Sequence, residues 1–134
     1  MLSTAEIQTS QELATSDFTL ITSPLSTTTF APPSINCNCD PTGIGADLIK
    51  GNKGIDTLKG LGGDDEIYGG DGDDIIEGGN GDDIIRGEED DDNLSGGEGD
   101  DTIYGGEDDD NLSGGEGDDT IYGGEGDDSL DGGD

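Results

Sequence analysis

Ten aspartates recur nine residues apart in this 134-residue chain: Asp47, Asp56, Asp65, Asp74, Asp83, Asp92, Asp101, Asp110, Asp119 and Asp128. Carboxylates repeated at one spacing can serve as acids and bases, as a solvated charge run, or as hard oxygen ligands for a cation. Acid–base work needs two groups in different environments, whereas each copy here stands in nearly the same local sequence. The chain has no histidine, and its only cysteines, Cys37 and Cys39, have no general base beside them. The usual groups of hydrolytic and redox catalysis are therefore missing, and no enzyme is expected. A solvated charge run has no reason to place Ile or Leu two residues after every one of these aspartates, as this chain does. Cation binding is left. Ca²⁺ accepts roughly six to eight oxygens at about 2.3–2.6 Å, while Mg²⁺ prefers about 2.0–2.1 Å and gives up water reluctantly. The segment Asp71-Gly-Asp73-Asp-Ile75 breaks the EF-hand spacing, and Gly43-Ile-Gly45 lacks the third glycine of a dinucleotide loop.

What must position these carboxylates is a nonapeptide repeated ten times from Thr42 to Asp131, as in GGDGDDIIE (69–77), GGNGDDIIR (78–86) and GGEGDDTIY (96–104). Numbered one to nine from Thr42, the repeat favours glycine at one, two and four, always has aspartate at six, and always has Ile or Leu at eight. The glycines are expected to supply positive φ angles and close backbone approach in a tight turn. The triplet that follows, x-U-x with U apolar, is a minimal strand. Residues 87–104 and 105–122 differ only at Glu88 against Gly106, so the copied unit is eighteen residues and one coil holds two strands. On that reading Ile49, Ile67, Ile85, Ile103 and Ile121 stack along one wall, and Leu58, Ile76, Leu94, Leu112 and Leu130 along the other. The ninth position sorts likewise, with Tyr68, Arg86, Tyr104 and Tyr122 in one file, where stacking on the sheet is expected.

The nonapeptide resembles the repeats-in-toxin (RTX, hemolysin-type) pattern G-G-x-G-x-D-x-U-x over residues 42–131. The resemblance implies an all-β chain, a right-handed parallel β-roll with two nonapeptides per coil, with U side chains inward and Ca²⁺ held between loops two repeats apart. It also implies an extracellular or cell-surface location, reached by a one-step export route that reads a signal C-terminal to the repeats. The chemistry of the residues agrees. Stacked strands lie about 4.8 Å apart, so an ion midway between two loops would sit about 2.4 Å from each, within the calcium range. Without ions, successive position-six carboxylates would repel by about 3 kcal/mol at an effective dielectric near 20. Metal binding is therefore expected to help drive folding. Five coils leave four gaps per side; eight Ca²⁺ would reduce the net −27 of residues 42–134 to −11.

Over the whole chain 35 acidic residues face 4 basic ones, which excludes nucleic acid and anionic membrane surfaces as partners. Residues 1–41 hold all four prolines and none of the 27 glycines, and are read as a disordered Ser/Thr/Pro leader or linker preceding the roll of residues 42–134. The start, MLSTAEIQTS, has no basic n-region, and Phe18-Thr-Leu-Ile21 is too short for a signal h-region or a membrane span, so a Sec-type signal peptide is not expected. Cys-Asn-Cys at 37–39 is too sparse for a disulfide framework or a zinc site. Two departures stand out in the repeats. Asp90 and Asp108 occupy a glycine position, which aspartate tolerates better than most residues. Thr42, Ile44, Ala46 and Asn52 make the first coil the least regular, so its sites are expected to be the weakest. The leading function is a calcium-responsive folding module. The alternative is a structural or adhesive surface protein whose stacked outer faces bind a partner, a mineral or ice, a face that Thr102, Thr120, Asn93 and Asn111 would begin.

Overall fold

A computed structural model describes residues 43–134, in which each nonapeptide contributes one strand. The expected leader, residues 1–41, and its two cysteines lie outside the described residues. The strands are β1 (Leu48–Lys50), β2 (Thr57–Gly62), β3 (Glu66–Asp71), β4 (Ile75–Asn80) and β5 (Ile84–Glu89). They continue as β6 (Asn93–Glu98), β7 (Thr102–Glu107), β8 (Asn111–Glu116), β9 (Thr120–Glu125) and β10 (Ser129–Gly133). Odd strands form one parallel sheet in the order β1-β3-β5-β7-β9, and even strands a second, β10-β8-β6-β4-β2. Every pair is in register at eighteen residues, as in Ile67 against Ile85 and Leu94 against Leu112. The described residues form an all-β solenoid of about five coils, with two nonapeptides in each.

The strands are longer than the x-U-x triplet. Most run six residues, for example Asn93–Glu98, so that pairing continues through positions one to three of the next repeat and the turn shrinks to positions four to six. The reason is conformational. Apart from Gly45 in the first coil, the described glycines at two and four have positive φ, as at Gly79 (124°) and Gly81 (127°), whereas those at position one do not and stay in the strand. Asp90 and Asp108 take the glycine's place at position four with φ of 75° and 73°, within the left-handed region that aspartate tolerates.

Side chains alternate across a strand, so positions six, eight and one all face the interior. Position eight supplies the core: Ile49, Leu58, Ile67, Ile76, Ile85, Leu94, Ile103 and Leu112 are buried, and Ile121 packs against them. The interior is one residue wide on each wall. Positions seven and nine face outward. On the odd sheet the ninth-position file begins with Lys50, whose ammonium lies 4.0 Å from the centroid of the Tyr68 ring. The Arg86 guanidinium lies 4.2 Å from the centroid of Tyr104, and Tyr104 stacks on Tyr122 with centroids 4.9 Å apart. The expected tyrosine stacking is present between Tyr104 and Tyr122, with Arg86 between the Tyr68 and Tyr104 rings and Lys50 capping the file over Tyr68.

Candidate metal centre

The two edges of the roll, where the chain passes from one sheet to the other, carry the ten aspartates in two files. Alternation turns the position-six side chain inward at the start of a strand. Asp56, Asp65, Asp74, Asp83 and Asp101 are almost without solvent exposure. From the second repeat onward, the residue that meets each carboxylate across the narrow interior is the glycine at position one of the same repeat. At Gly69 the point that a Cβ would occupy lies 2.5 Å from Oδ2 of Asp74 and 2.7 Å from the carbonyl oxygen of Gly87 in the next coil. In these repeats glycine is needed at position one because a carboxylate fills the space of its missing side chain. The same carboxylate and carbonyl pairing recurs at Gly60, Gly78, Gly87, Gly96, Gly105 and Gly114.

The two oxygens of each carboxylate are treated differently. Oδ1 reaches back one coil and accepts the backbone N–H of the position-six residue there. Eight such bonds, at 2.7–3.0 Å, run from Asp47 N–H to Asp65 through Asp110 N–H to Asp128. Asp83 is thereby tied to both neighbours in its file: its Oδ1 accepts from Asp65 and its N–H donates to Asp101. Oδ2 is another matter. In Asp65, Asp74, Asp83, Asp92, Asp101, Asp110 and Asp119 it is buried and has no hydrogen-bond partner. A buried acceptor without a donor costs free energy, and here it recurs beside a main-chain carbonyl, a second acceptor.

Burial is the main reason these carboxyls resist ionisation. It pushes Asp83 and Asp92 up to about 7 and Asp74 and Asp101 up to about 6, and raises Asp65 and Asp110 as well. The backbone N–H donated to each Oδ1 opposes the shift, and neighbouring carboxylates add to it. Position five, one residue earlier, faces solvent. Its carboxylates accept backbone N–H groups in the opposite direction, from the next coil, as Asp82 does from Asp100 at 3.0 Å.

The donor set fits a hard cation. Among the described residues no group of three or more His, Cys, Asp or Glu side chains is arranged to hold a metal ion, so carboxylates alone would not complete a coordination shell. Calcium accepts main-chain carbonyls beside carboxylates, and each repeat offers that combination: an orphaned Oδ2 beside a glycine carbonyl from the next coil, in a cradle that a Cβ would close. The sequence had placed the aspartates in files but not inside the roll. The signal was present, since positions six and eight are two apart and must share a strand face.

A parallel solenoid with an inward carboxylate file along each edge defines a repeat protein built to take up cations. Four overlapping matches to the RTX calcium-binding nonapeptide repeat, at residues 41–76, 68–103, 77–112 and 104–134, cover the whole roll. The chain belongs to this family, whose β-roll is a structural calcium-binding module. Comparisons with curated proteins and with solved structures gave no match. No helix of the described residues is long and apolar enough to cross a membrane.

Proposed function

We propose that this chain is a calcium-responsive folding module, disordered at the low calcium of a cell interior and folded at extracellular concentrations, and that it acts outside the cell or at its surface. The observation that carries the reading is the row of seven buried Oδ2 atoms without a donor. Each Oδ2 faces a carbonyl of the next coil, so stacking the coils brings acceptor against acceptor unless a cation joins them. Asp47, Asp56, Asp65, Asp74, Asp83, Asp92, Asp101, Asp110, Asp119 and Asp128 are the proposed side-chain ligands, with main-chain oxygens completing each shell. Eight gaps between stacked loops, four on each edge, set the upper count of ions. The thin core, one Ile or Leu per strand, leaves the fold dependent on that contribution, because ordering each residue costs about 1–2 kcal/mol of backbone entropy. Binding free energy then becomes folding free energy.

Circular dichroism of the full chain in chelator, followed by titration with Ca²⁺ or Mg²⁺, tests this. A disordered spectrum that becomes β-rich with calcium and not with magnesium is expected. A β-sheet spectrum that persists unchanged in excess chelator at neutral pH would remove the folding switch.

A further inference from the structure

One position-six carboxylate differs from the seven described above. Oδ2 of Asp56 accepts the backbone N–H of Asn52 at 2.9 Å and also its side-chain Nδ2 at 3.1 Å. The gap it faces is otherwise like the rest, because the carbonyl of Gly69 in the next coil borders the same cradle at Gly51. Two features of Asn52 make the contact. It brings an amide donor to position two, where the repeat prefers glycine. It is also the one described position-two residue without a positive φ: Gly43, Leu61, Gly70, Gly79, Glu88, Gly97, Gly106, Gly115, Gly124 and Gly133 all have one. The different backbone turn directs the Asn52 N–H at the carboxylate instead of away from it.

The first coil carries further cations of its own. Three of the four basic residues in the chain lie in it, and each reaches forward to the second coil. Lys50 lies over the Tyr68 ring, Lys53 pairs with Asp71, and Lys59 pairs with Glu77. Exposed ion pairs are individually weak. Their placement matters more than their strength, because the same coil boundary has its buried acceptor satisfied.

We propose that Asn52 takes the place of a cation at the first gap on its edge, so that coils one and two close without calcium there and the roll has seven full calcium sites instead of eight. This rests on the calcium reading of the position-six files. It turns the irregular first coil from a degenerate site into a clamp, an end that needs no ion of its own on this edge when calcium fills the later gaps.

Calorimetric titration of the full chain with calcium chloride, beside the variant Asn52→Gly, tests the clamp. Seven ions for the parent and eight for Asn52→Gly are expected. The same count in both proteins would overturn the proposal while leaving calcium binding intact, whereas no saturable binding in either would overturn the calcium reading itself. A second measurement does not depend on stoichiometry. With calcium below saturation, hydrogen exchange at the residue-52 amide and across β2 should be slower in the parent than in Asn52→Gly, and equal exchange would again overturn the clamp.

Discussion

Positions five and six of the repeat hold the same residue type in most coils, one bond apart, and the fold gives them opposite fates. Asp82 lies on the outside, where its carboxylate accepts the Asp100 N–H and the rest of it meets water. Asp83 lies inside, with Oδ1 on the Asp65 N–H and Oδ2 facing no donor. The two ladders also run in opposite directions, the outer carboxylate serving the following coil and the inner one the preceding coil. Composition cannot separate these residues; strand alternation does, because only one of two adjacent side chains can face the core. Both files cross-link coils through backbone amides, but only the inner one leaves an acceptor unsatisfied. What the inner file needs is positive charge or a hydrogen-bond donor, and calcium, a proton or an amide could each supply it.

The largest effect should come from supplying protons, because that acts on several inner carboxylates at once. Burial raises Asp74 and Asp101 to about 6 and Asp83 and Asp92 to about 7 in the fold, against roughly 3.9 for an unfolded aspartate. A raised folded value means the folded chain binds more protons than the unfolded one, so their stabilisation is fully present below about pH 4 and is lost as pH rises through 6 to 7. In calcium-free buffer the β-sheet signal should therefore be stronger at pH 5 than at pH 8. Calcium added at pH 6 should release protons, measurable as a dependence of binding heat on buffer ionisation enthalpy. A β-sheet signal that does not change between pH 5 and pH 8 without calcium would show that the inner carboxylates do not control folding.

A single inner residue gives the next largest effect, with opposite signs in two conditions. Asp83→Asn removes a charged ligand, and a charge-assisted contact worth roughly 1.5–3 kcal/mol corresponds to about a 10- to 100-fold loss of calcium affinity. It should fall on the two sites that involve Asp83, those shared with Asp65 and Asp101. In chelator the same change should stabilise the roll, because the amide can donate where Oδ2 had only an acceptor to face, and the buried charge is gone. Calcium titration and the β-sheet content in chelator, read by circular dichroism on one protein, would check both signs. A loss in both conditions would mean that the carboxylate acts as a packing element and not as a ligand.

How much of this could be read from the sequence follows from the same alternation. The eighteen-residue copy, with Glu88 against Gly106 as its one difference, indicated two walls and a parallel register, because a repeated strand pairs with its own copy. The ladder of Ile and Leu at position eight indicated the core. The inward turn of position six was less visible, since a carboxylate two residues from the core position reads as loop chemistry until its partner, the glycine at position one, is seen across the interior. That glycine was expected to serve a turn, and the structure gives it another reason, the space that Oδ2 occupies at Gly69 and its equivalents. The roles of Asn52 and Lys50 were not legible either. Each depends on a contact that spacing alone does not specify: a backbone turn without positive φ at Asn52, and a ring one coil ahead of Lys50.

The smallest effect separates ordered sites from a diffuse cloud of counterions. Asp82→Asn removes the same formal charge as Asp83→Asn, one residue away, and keeps the side-chain volume. Its Oδ1 can still accept the Asp100 N–H, so the outer ladder survives, and no buried oxygen changes. If calcium merely condensed on a negative polymer, each variant would lose the same small share of binding, since at that range the field of the chain hardly distinguishes two adjacent charges. If the ions sit in ordered inner sites, Asp82→Asn should keep the parent stoichiometry and change stability by no more than about 0.5 kcal/mol, the usual range for a surface substitution. Its sign should be stabilising, because one repulsive charge leaves a file in which Asp64 and Asp100 stand one coil away on either side. Titration calorimetry of the two variants at matched ionic strength measures the difference directly. Equal losses in both would require the ordered-site model to be abandoned, and a loss confined to Asp83→Asn would place calcium on the inward file.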